Sequence, residues 1–251
     1  MTLVRTELRL LRHDPVPAAV LVGMPVVLMT LLSDAMGLTL WAQGYVGASG
    51  SAQTVPGMAC VFASFAIALV GFAVFREHGW RTWPRLRAAG VSGRALLLGK
   101  LAVPAGLLAL QHVVLFGFGA LFLDLRVAGS WLAVGLVAVA FGALVLVGGL
   151  AAAAALATIQ QVNAVTNLGA MVLGGLGGGF VPVELLPDWI EPLAPISPVY
   201  WAMRGYRSAI LDGGGVSDVL GPVAVLLGFA VLFALVALWR FRADEPKRAW
   251  G

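Results

Sequence analysis

Long apolar stretches alternate with short charged or polar segments along this chain, and the pattern predicts six membrane-spanning helices. A helix needs about 20 predominantly apolar residues to cross the hydrocarbon core of a bilayer. Asp14 and Asp34 bracket the first stretch, a charged segment at residues 76–78 ends the second, and Arg240 ends the last. The predicted spans are residues 16–32, 55–75, 95–122, 130–156, 164–181 and 220–239.

Polar residues set the boundaries where charge gives no signal. No charged residue occurs between Arg126 and Glu184, a length that fits two crossings, and the polar stretch 158–163 predicts the turn between them. We interpret the amide side chains of that stretch as helix caps, with contact to a partner protein as the alternative. Residues 35–54 are uncharged but rich in Gly, Ser, Gln and Thr, so we interpret them as a polar connection and not as a span.

The N-terminal segment, residues 1–14, precedes the first span. Its leucines Leu3, Leu10 and Leu11 fall on one helical face and its charges mostly on another, which favours a helix that lies in the membrane interface. A short solvated tail is the alternative. Because charged residues interrupt the segment before the first long apolar run, we expect no cleaved signal peptide.

Composition supports a membrane protein and excludes an ordinary soluble domain. Hydrophobic residues make up 60% of the chain and charged residues 11%, whereas soluble domains average roughly 45–50% and about 25%. A soluble protein of this length requires a polar shell that these residues cannot supply. We therefore expect an all-α polytopic membrane protein with a single transmembrane domain over residues 1–251.

The distribution of basic residues predicts the orientation in the membrane. Thirteen of the 16 Lys and Arg residues lie in the N-terminal tail, in the loop between the second and third spans or at Lys100 near the start of the third span, or in the C-terminal tail. The positive-inside rule then places both termini in the cytoplasm of a multi-pass protein of the cell membrane. The net charge of +4 has the same origin and does not indicate nucleic-acid binding. Cys60, the one cysteine, predicts neither a disulfide nor a metal site.

The charged segment between the second and third spans predicts a short helix along the membrane surface. Gly79 ends the second span, Thr82 is suited to cap a new helix, and Pro84 fits its first turn. The apolar side chains of this helix are Trp80, Trp83 and Leu86, and the basic ones are Arg81, Arg85 and Arg87. Such a helix either docks onto a partner or only anchors the chain in the interface.

A proline-rich segment follows the predicted fifth span. Residues 180–211 contain five prolines, which break any continuous helix, yet they are too apolar for a solvated loop. We expect short broken helices that re-enter the outer leaflet, where irregular backbone requires protein or water around it. An ordinary interfacial loop with an aromatic belt is the alternative.

Two further features lie inside predicted spans. Glycines at 174, 175, 178 and 179 either allow close helix packing through G-x-x-x-G pairs or mark an unwound helix end. Gln111 and His112 are polar residues at membrane depth, so they either line a transport pathway or form a hydrogen bond between helices.

Together, the charged and the proline-rich segments resemble those of the membrane subunits of type-2 ABC exporters. That family has Arg-Glu-x-Gly, a leucine between basic residues and then Gly-Lys, which correspond here to Arg76, Glu77, Gly79, Leu86, Gly99 and Lys100. After its fifth span the family has a proline, Leu-Pro-x-Trp, a later Pro-x-x-Tyr and an arginine, which correspond to Pro182, Leu186, Pro187, Trp189, Pro198, Tyr200 and Arg204 or Arg207. The proline and tyrosine of the later motif are one residue closer together here than in the family pattern. In topology, the resemblance covers nearly the whole chain.

The resemblance implies a specific architecture and set of partners. The chain would have six transmembrane helices, an N-terminal interfacial helix, a cytoplasmic coupling helix between spans 2 and 3, and a re-entrant extracellular segment between spans 5 and 6. It would pair with a second permease subunit, identical or not, and with two copies of a separate ATPase subunit that bind ATP and Mg. The ATPase-coupling residues would be Arg76, Glu77, Gly79, Trp80, Trp83, Arg85, Leu86 and Arg87. The outer gate would comprise Pro182, Leu186, Pro187, Trp189, Pro198, Tyr200 and Arg204.

The expected function is export of an amphipathic drug, antibiotic or lipid by a chain that has no ATPase site of its own. Residues 94–101 fail the phosphate-loop pattern because Arg94 replaces its first glycine and Leu101 follows Lys100. We expect no catalytic residue, metal or cofactor in this chain. A channel or secondary transporter outside the ABC class, and a membrane scaffold, stay open as alternatives.

Overall fold

The structure is a computed structural model that describes residue 16 and residues 19–79 and 93–240, with side chains described at 16, 19–75 and 99–240. This part of the chain is helical, and none of its residues forms a β-strand. The helices are α1 (Met24–Ala42, preceded by the π-helical turn Ala19–Gly23), α2 (Ser51–Gly79), α3 (Gly93–Phe122), α4 (Trp131–Ala155), α5 (Ile159–Leu176), α6 (Pro198–Ile210) and α7 (Val216–Arg240). Two 3-10 helices, Val183–Leu185 and Glu191–Ile196, lie between α5 and α6.

Five helical segments in the described part are long and apolar enough to cross a membrane. They are Ala19–Ala42, Ser51–Phe75, Gly99–Phe122, Trp131–Ala155 and Val216–Arg240. The chain is therefore a multi-pass helical membrane protein. The helix α5 is not among the five, because amide side chains interrupt the apolar character of its first half, at Gln160, Gln161, Asn163 and Asn167.

The interpretation of residues 35–54 as a polar connection was wrong for most of its length. Helix α1 continues to Ala42, well past the predicted end at residue 32, and α2 begins at Ser51. Asp34 is exposed on α1 and does not end the helix. The short connection folds back on α1 and brings the backbone of Gly50 against that of Ser33. A Cβ added at Gly50 would lie 1.7 Å from the carbonyl oxygen of Ser33. Only glycine permits this contact.

Helix α2 forms the centre of the bundle and is buried along nearly its whole described length. It packs against α1, α3, α4 and α5, while α7 packs mainly on α4. Small residues bring these helices close together. A Cβ at Gly71 would lie 2.6 Å from the Val162 side chain, and one at Gly149 would lie 2.4 Å from that of Val70. Small interface residues of this kind are typical of helix packing in membranes.

The turn between α4 and α5 is stabilised by reciprocal capping. Thr158 Oγ1 accepts a hydrogen bond from the Gln161 N–H at 3.2 Å, and Gln161 Oε1 accepts one from the Ala157 N–H at 3.0 Å. This arrangement resembles a capping box, with Gln at the third helical position. The interpretation of this stretch as capping is confirmed for Gln161.

The glycines near the end of α5 both unwind the helix and allow close packing. Helix α5 ends at Leu176, and Gly178 has a positive φ of 80° that suits glycine. A Cβ at Gly57 of α2 would lie 2.1 Å from the Gly179 carbonyl oxygen. The unwound helix end is therefore observed, and the close contact with α2 is made by backbone beyond that end, because neither G-x-x-x-G pair lies wholly within α5.

Candidate functional site

Three connections meet at one end of the bundle, which we call the loop end. Ser49 Oγ, between α1 and α2, donates a hydrogen bond to the Leu123 carbonyl oxygen after α3 at 2.9 Å. The N–H groups of Ala128 and Gly129, before α4, donate to the carbonyl oxygens of Ile210 and Ala209 at the end of α6, each at 3.0 Å. Segments far apart in sequence are thus joined at the loop end.

The proline-rich segment between α5 and α6 leaves the end of α5 and returns to it. Gly179 packs against Val61 of α2, and Ser197 Oγ donates a hydrogen bond to the Leu173 carbonyl oxygen of α5 at 2.6 Å. Between these anchors, the side chain of Glu184 reaches Arg207 in the second half of α6. The outward-facing apolar side chains of this segment are Leu185, Trp189, Leu193 and Ile196.

Helix α6 is amphipathic and fits between longer helices. Ser197 caps it by accepting a hydrogen bond from the Val199 N–H at 3.1 Å, and Pro198 occupies its first position. One face is buried, with Gly205 close to Val137 of α4 and Pro222 of α7. The other face carries two arginines about one turn apart, Arg204 and Arg207.

A polar network surrounds Arg207. Its Nε donates to Tyr45 Oη at 3.2 Å, its Nη2 donates to Gln43 Oε1 at 3.0 Å, and its Nη1 forms an ion pair with Glu184. The guanidinium also lies 5.2 Å from the centre of the Tyr45 ring. Charge-assisted hydrogen bonds are stronger than neutral ones, so this network fastens the α1–α2 connection, the proline-rich segment and α6 to one another.

Tyr45 extends the network to the connection between α6 and α7. Its hydroxyl donates to Asp212 Oδ1 at 2.7 Å. Burial raises the pKa of the Tyr45 phenol, and the hydrogen bond to Asp212 raises it further. The phenol therefore keeps its proton and remains the donor of this bond.

A cavity of about 690 Å³, which we call the vestibule, lies beside α6 at the loop end. It is bounded by the start of the proline-rich segment, by α6 and by the first turns of α7. Of the predicted gate residues, Pro182, Tyr200 and Arg204 line it, together with Arg207. The structure thus brings part of the predicted gate together around one space.

The other predicted gate residues lie elsewhere. Pro198 lines a second cavity of about 360 Å³ between α2, α4, α5 and α7, which we call the apolar cavity. Leu186, Pro187 and Trp189 line neither cavity, and the Trp189 side chain is exposed. In the apolar cavity, the hydroxyls of Ser64 and Thr166 donate to carbonyl oxygens of their own helices, so its surface offers almost no free polar group.

The predicted coupling residues fall mostly outside the described part of the chain. Trp80, Trp83, Arg85, Leu86 and Arg87 lie outside the described residues. The backbone of α2 continues through Arg76 and Glu77 to Gly79, but the side chains there are not described. Their role remains a prediction.

The predicted pathway candidates, Gln111 and His112, are both buried inside the bundle. His112 Nδ1 lies 2.9 Å from the Leu108 carbonyl oxygen, and its ring stacks on Phe116, which contacts Tyr206. Neither residue lines the vestibule or the apolar cavity. The amide atoms of Gln111 have no hydrogen-bond partner among the described residues.

Sequence reasoning missed the partners of Arg207. Glu184 and Asp212 look like ordinary loop charges, and Gln43 and Tyr45 lie in a connection with no motif. Polar side chains on separate connections are a weak signal for partners of an arginine on α6, because only the fold shows that these connections touch. In the described residues, His, Cys, Asp and Glu side chains form no group of three that could hold a metal ion.

The bundle, the broken segment before α6 and the vestibule define a multi-pass membrane protein with a built cavity at one end. The chain belongs to the ABC-2 type transporter family, which matches residues 1–211. It is also similar to the linearmycin resistance permease protein LnrN of Bacillus subtilis (strain 168), with 28% identity over 204 residues. That match covers 78% of this chain and 51% of the relative, so the chain spans about half the length of that protein. The predicted family is confirmed.

Proposed function

We propose that this chain is the membrane permease subunit of an ATP-driven ABC exporter, with its loop end facing outward. The observation that carries the proposal is the family match, which spans both the segment with the predicted coupling helix and the proline-rich segment. Members of this family form the membrane subunit of a transporter that typically works with an ATPase subunit. ATP hydrolysis is accordingly assigned to a separate chain, which binds ATP and Mg.

The proposal includes six crossings, of which α5 and α6 together form the fifth. Val162 of α5 contacts Gly71 near the end of α2 that lies away from the loop end, and α5 stops beside Gly57 and Val61. Helix α6 starts beside the end of α5 and finishes at the loop end. Joined in this way, the two short helices cover the distance that one long helix covers elsewhere, and both termini then lie in the cytoplasm.

The proposed substrate is an amphipathic compound such as an antibiotic. The relative's name assigns it to resistance against linearmycin. The two cavities of this chain, one lined by both charged and apolar side chains and the other almost wholly apolar, suit a molecule with both kinds of surface. Whether the second permease subunit is a copy of this chain is an outcome of the experiment below.

The experiment is co-purification of this chain with candidate ABC ATPases, followed by ATPase measurement in lipid nanodiscs. Trp83→Asp and Leu86→Asp place a charge on the apolar face of the predicted coupling helix, so each is expected to detach the ATPase or lower stimulated activity by more than tenfold. The matched control is Trp131→Asp, since Trp131 is a half-exposed tryptophan at the loop end. The mass of the complex gives the number of permease subunits.

If no candidate ATPase binds, the result would contradict the exporter proposal and favour a channel or a membrane scaffold. Equal loss in the Trp131→Asp control would show that the substitutions act through folding and not through docking.

A further inference from the structure

Five charged side chains line the vestibule, and four of them already have partners. Arg207 and Glu184 form an ion pair, and Asp212 accepts a hydrogen bond from Tyr45. Asp218 Oδ2 accepts a hydrogen bond from the Gly215 N–H at 2.7 Å, at the start of α7. The first three groups join distant segments around the vestibule, and Asp218 caps the start of α7.

Arg204 is the fifth. It is exposed to the vestibule, and in the described part of the chain it makes no ion pair and no hydrogen bond. The other loop-end arginines, Arg126 and Arg207, each hold a carboxylate, Asp124 and Glu184. Arg204 is therefore the charged group of the vestibule that is left to meet a ligand.

The surroundings of Arg204 suit an anion attached to an apolar body. Its guanidinium lies 5.8 Å from the centre of the Trp201 ring, and Trp201 packs edge-on against Tyr200 at 5.4 Å between ring centres. The Trp201 N–H is occupied, because it donates to the Pro195 carbonyl oxygen at 2.9 Å. Beside Arg204, the wall of the vestibule therefore offers the aromatic rings of Trp201 and Tyr200 next to one planar cation. Such a cation binds carboxylate or phosphate through two parallel hydrogen bonds, and a nearby apolar wall strengthens this attraction.

We propose that Arg204 binds the anionic group, carboxylate or phosphate, of an amphipathic substrate in the vestibule while Tyr200 and Trp201 contact its apolar part. This assignment rests on the proposed function, because it names the substrate class of that pathway. Arg204 and Arg207 then have separate tasks, one facing the ligand and the other holding the walls.

The test is a binding titration of the chain in phosphatidylcholine nanodiscs, with no ATPase present. The probes are 12-(NBD-amino)dodecanoic acid and its methyl ester, which share chain and fluorophore and differ by the carboxylate. Each signal is corrected with empty nanodiscs. The variants are Arg204→Gln, Arg204→Lys and the control Arg126→Gln, which removes the same charge from the same end but outside the vestibule.

The wild-type chain is expected to bind the acid about tenfold more tightly than the ester. Arg204→Gln is expected to abolish this preference, Arg204→Lys to keep most of it, and Arg126→Gln to leave it unchanged. Equal affinity of the wild type for acid and ester would overturn the proposal. So would an equal loss for both probes in Arg204→Gln, which indicates a packing role.

A second arm separates a substrate from a membrane lipid. One fifth of the phosphatidylcholine is replaced by phosphatidylglycerol, and the same titrations are repeated. The same modest weakening in the wild type and Arg204→Gln reflects surface charge and supports the proposal. A larger weakening in the wild type would assign Arg204 to a lipid headgroup and overturn the substrate assignment. Because neither arm contains an ATPase, the result of these titrations is independent of whether an ATPase co-purifies with the chain.

Discussion

The vestibule and the apolar cavity lie on opposite sides of the start of α6, and they are built by different means. The vestibule is held by hydrogen bonds and an ion pair between segments more than 20 residues apart in sequence, centred on Arg207. The apolar cavity exists because small residues of α4 and α5 leave space, including Gly148, Ala151 and Gly169. The vestibule is thus defined by polar contacts between segments, and the apolar cavity by the small size of the side chains around it.

This difference separates contacts that a helical membrane protein can exchange from contacts that are fixed by packing. Polar contacts that are partly exposed are individually modest, so they can be exchanged for others when the state of the protein changes. Close backbone contacts between small residues cannot be exchanged without moving whole helices. The wall between the cavities belongs to the second kind, since Gly177 lines the vestibule and touches Val199, which lines the apolar cavity.

The largest loss of stability is expected from a methyl group added at Gly177, in the wall between the two cavities. In Gly177→Ala the new Cβ would lie 2.5 Å from the Tyr200 nitrogen and 2.6 Å from Val199 Cβ. Because backbone must move to make room, we expect a loss of about 1–3 kcal/mol in stability, read as a lower midpoint of thermal unfolding in detergent.

The matched control for this wall is Gly175→Ala. Gly175 is two residues away at the same helix end, and its added Cβ would meet nothing within 4 Å. We expect its midpoint to stay unchanged or to rise. If both variants lose the same stability, the glycines act through backbone freedom and not through the close contact that separates the cavities.

A smaller effect is expected from removing the charge that holds the vestibule. Arg207→Gln loses the ion pair with Glu184 and the bond to Tyr45. The Glu184 side chain is 53% exposed and that of Arg207 28%, so solvent screening limits the loss to about 1 kcal/mol. Unfolding midpoints of Arg207→Gln, Glu184→Gln and the double variant measure it.

The double variant tests whether Arg207 and Glu184 act through each other. If the ion pair carries the effect, the double variant loses clearly less than the two single variants added together. Strict additivity would contradict the network. The exposed pair of Arg126 and Asp124 serves as the reference, since its removal should change nothing measurable.

The sequence predicts the helical membrane class and the broken segment before α6 because both depend on local properties. Apolar length and proline content act over a single helix and need no knowledge of the fold. The same local reasoning placed the end of α1 at residue 32, because it treated Asp34 as a boundary and Gly and Ser as connection residues. Leu38, Leu40 and Trp41 continue the helix, and the backbone contact of Gly50 with Ser33 is not visible in the sequence.

The candidate site was only partly predictable, for a related reason. Pro182, Tyr200 and Arg204 could be selected because they belong to one short segment with a recognisable order. The assignment of Arg207 to Tyr45 and Glu184 depends on which connections meet at the loop end, and that is settled by packing over more than 160 residues of chain. Buried Gln111 illustrates the same limit, since periodicity marks it as polar at depth but does not tell whether it lines a pathway.

The smallest effect, and one of opposite sign, is expected inside the apolar cavity. Gly169 of α5 lines this cavity, and an added Cβ would meet nothing within 4 Å. Alanine is a better helix former than glycine by roughly 0.5–1 kcal/mol, so Gly169→Ala should raise the unfolding midpoint slightly. Gly71→Ala is the counterpart, because its Cβ would lie 2.6 Å from Val162 and should lower the midpoint. A lower midpoint in Gly169→Ala would mean that another surface, such as a second subunit or an acyl chain, occupies the space beside α5, and the cavity would then be defined by contact, as the vestibule is.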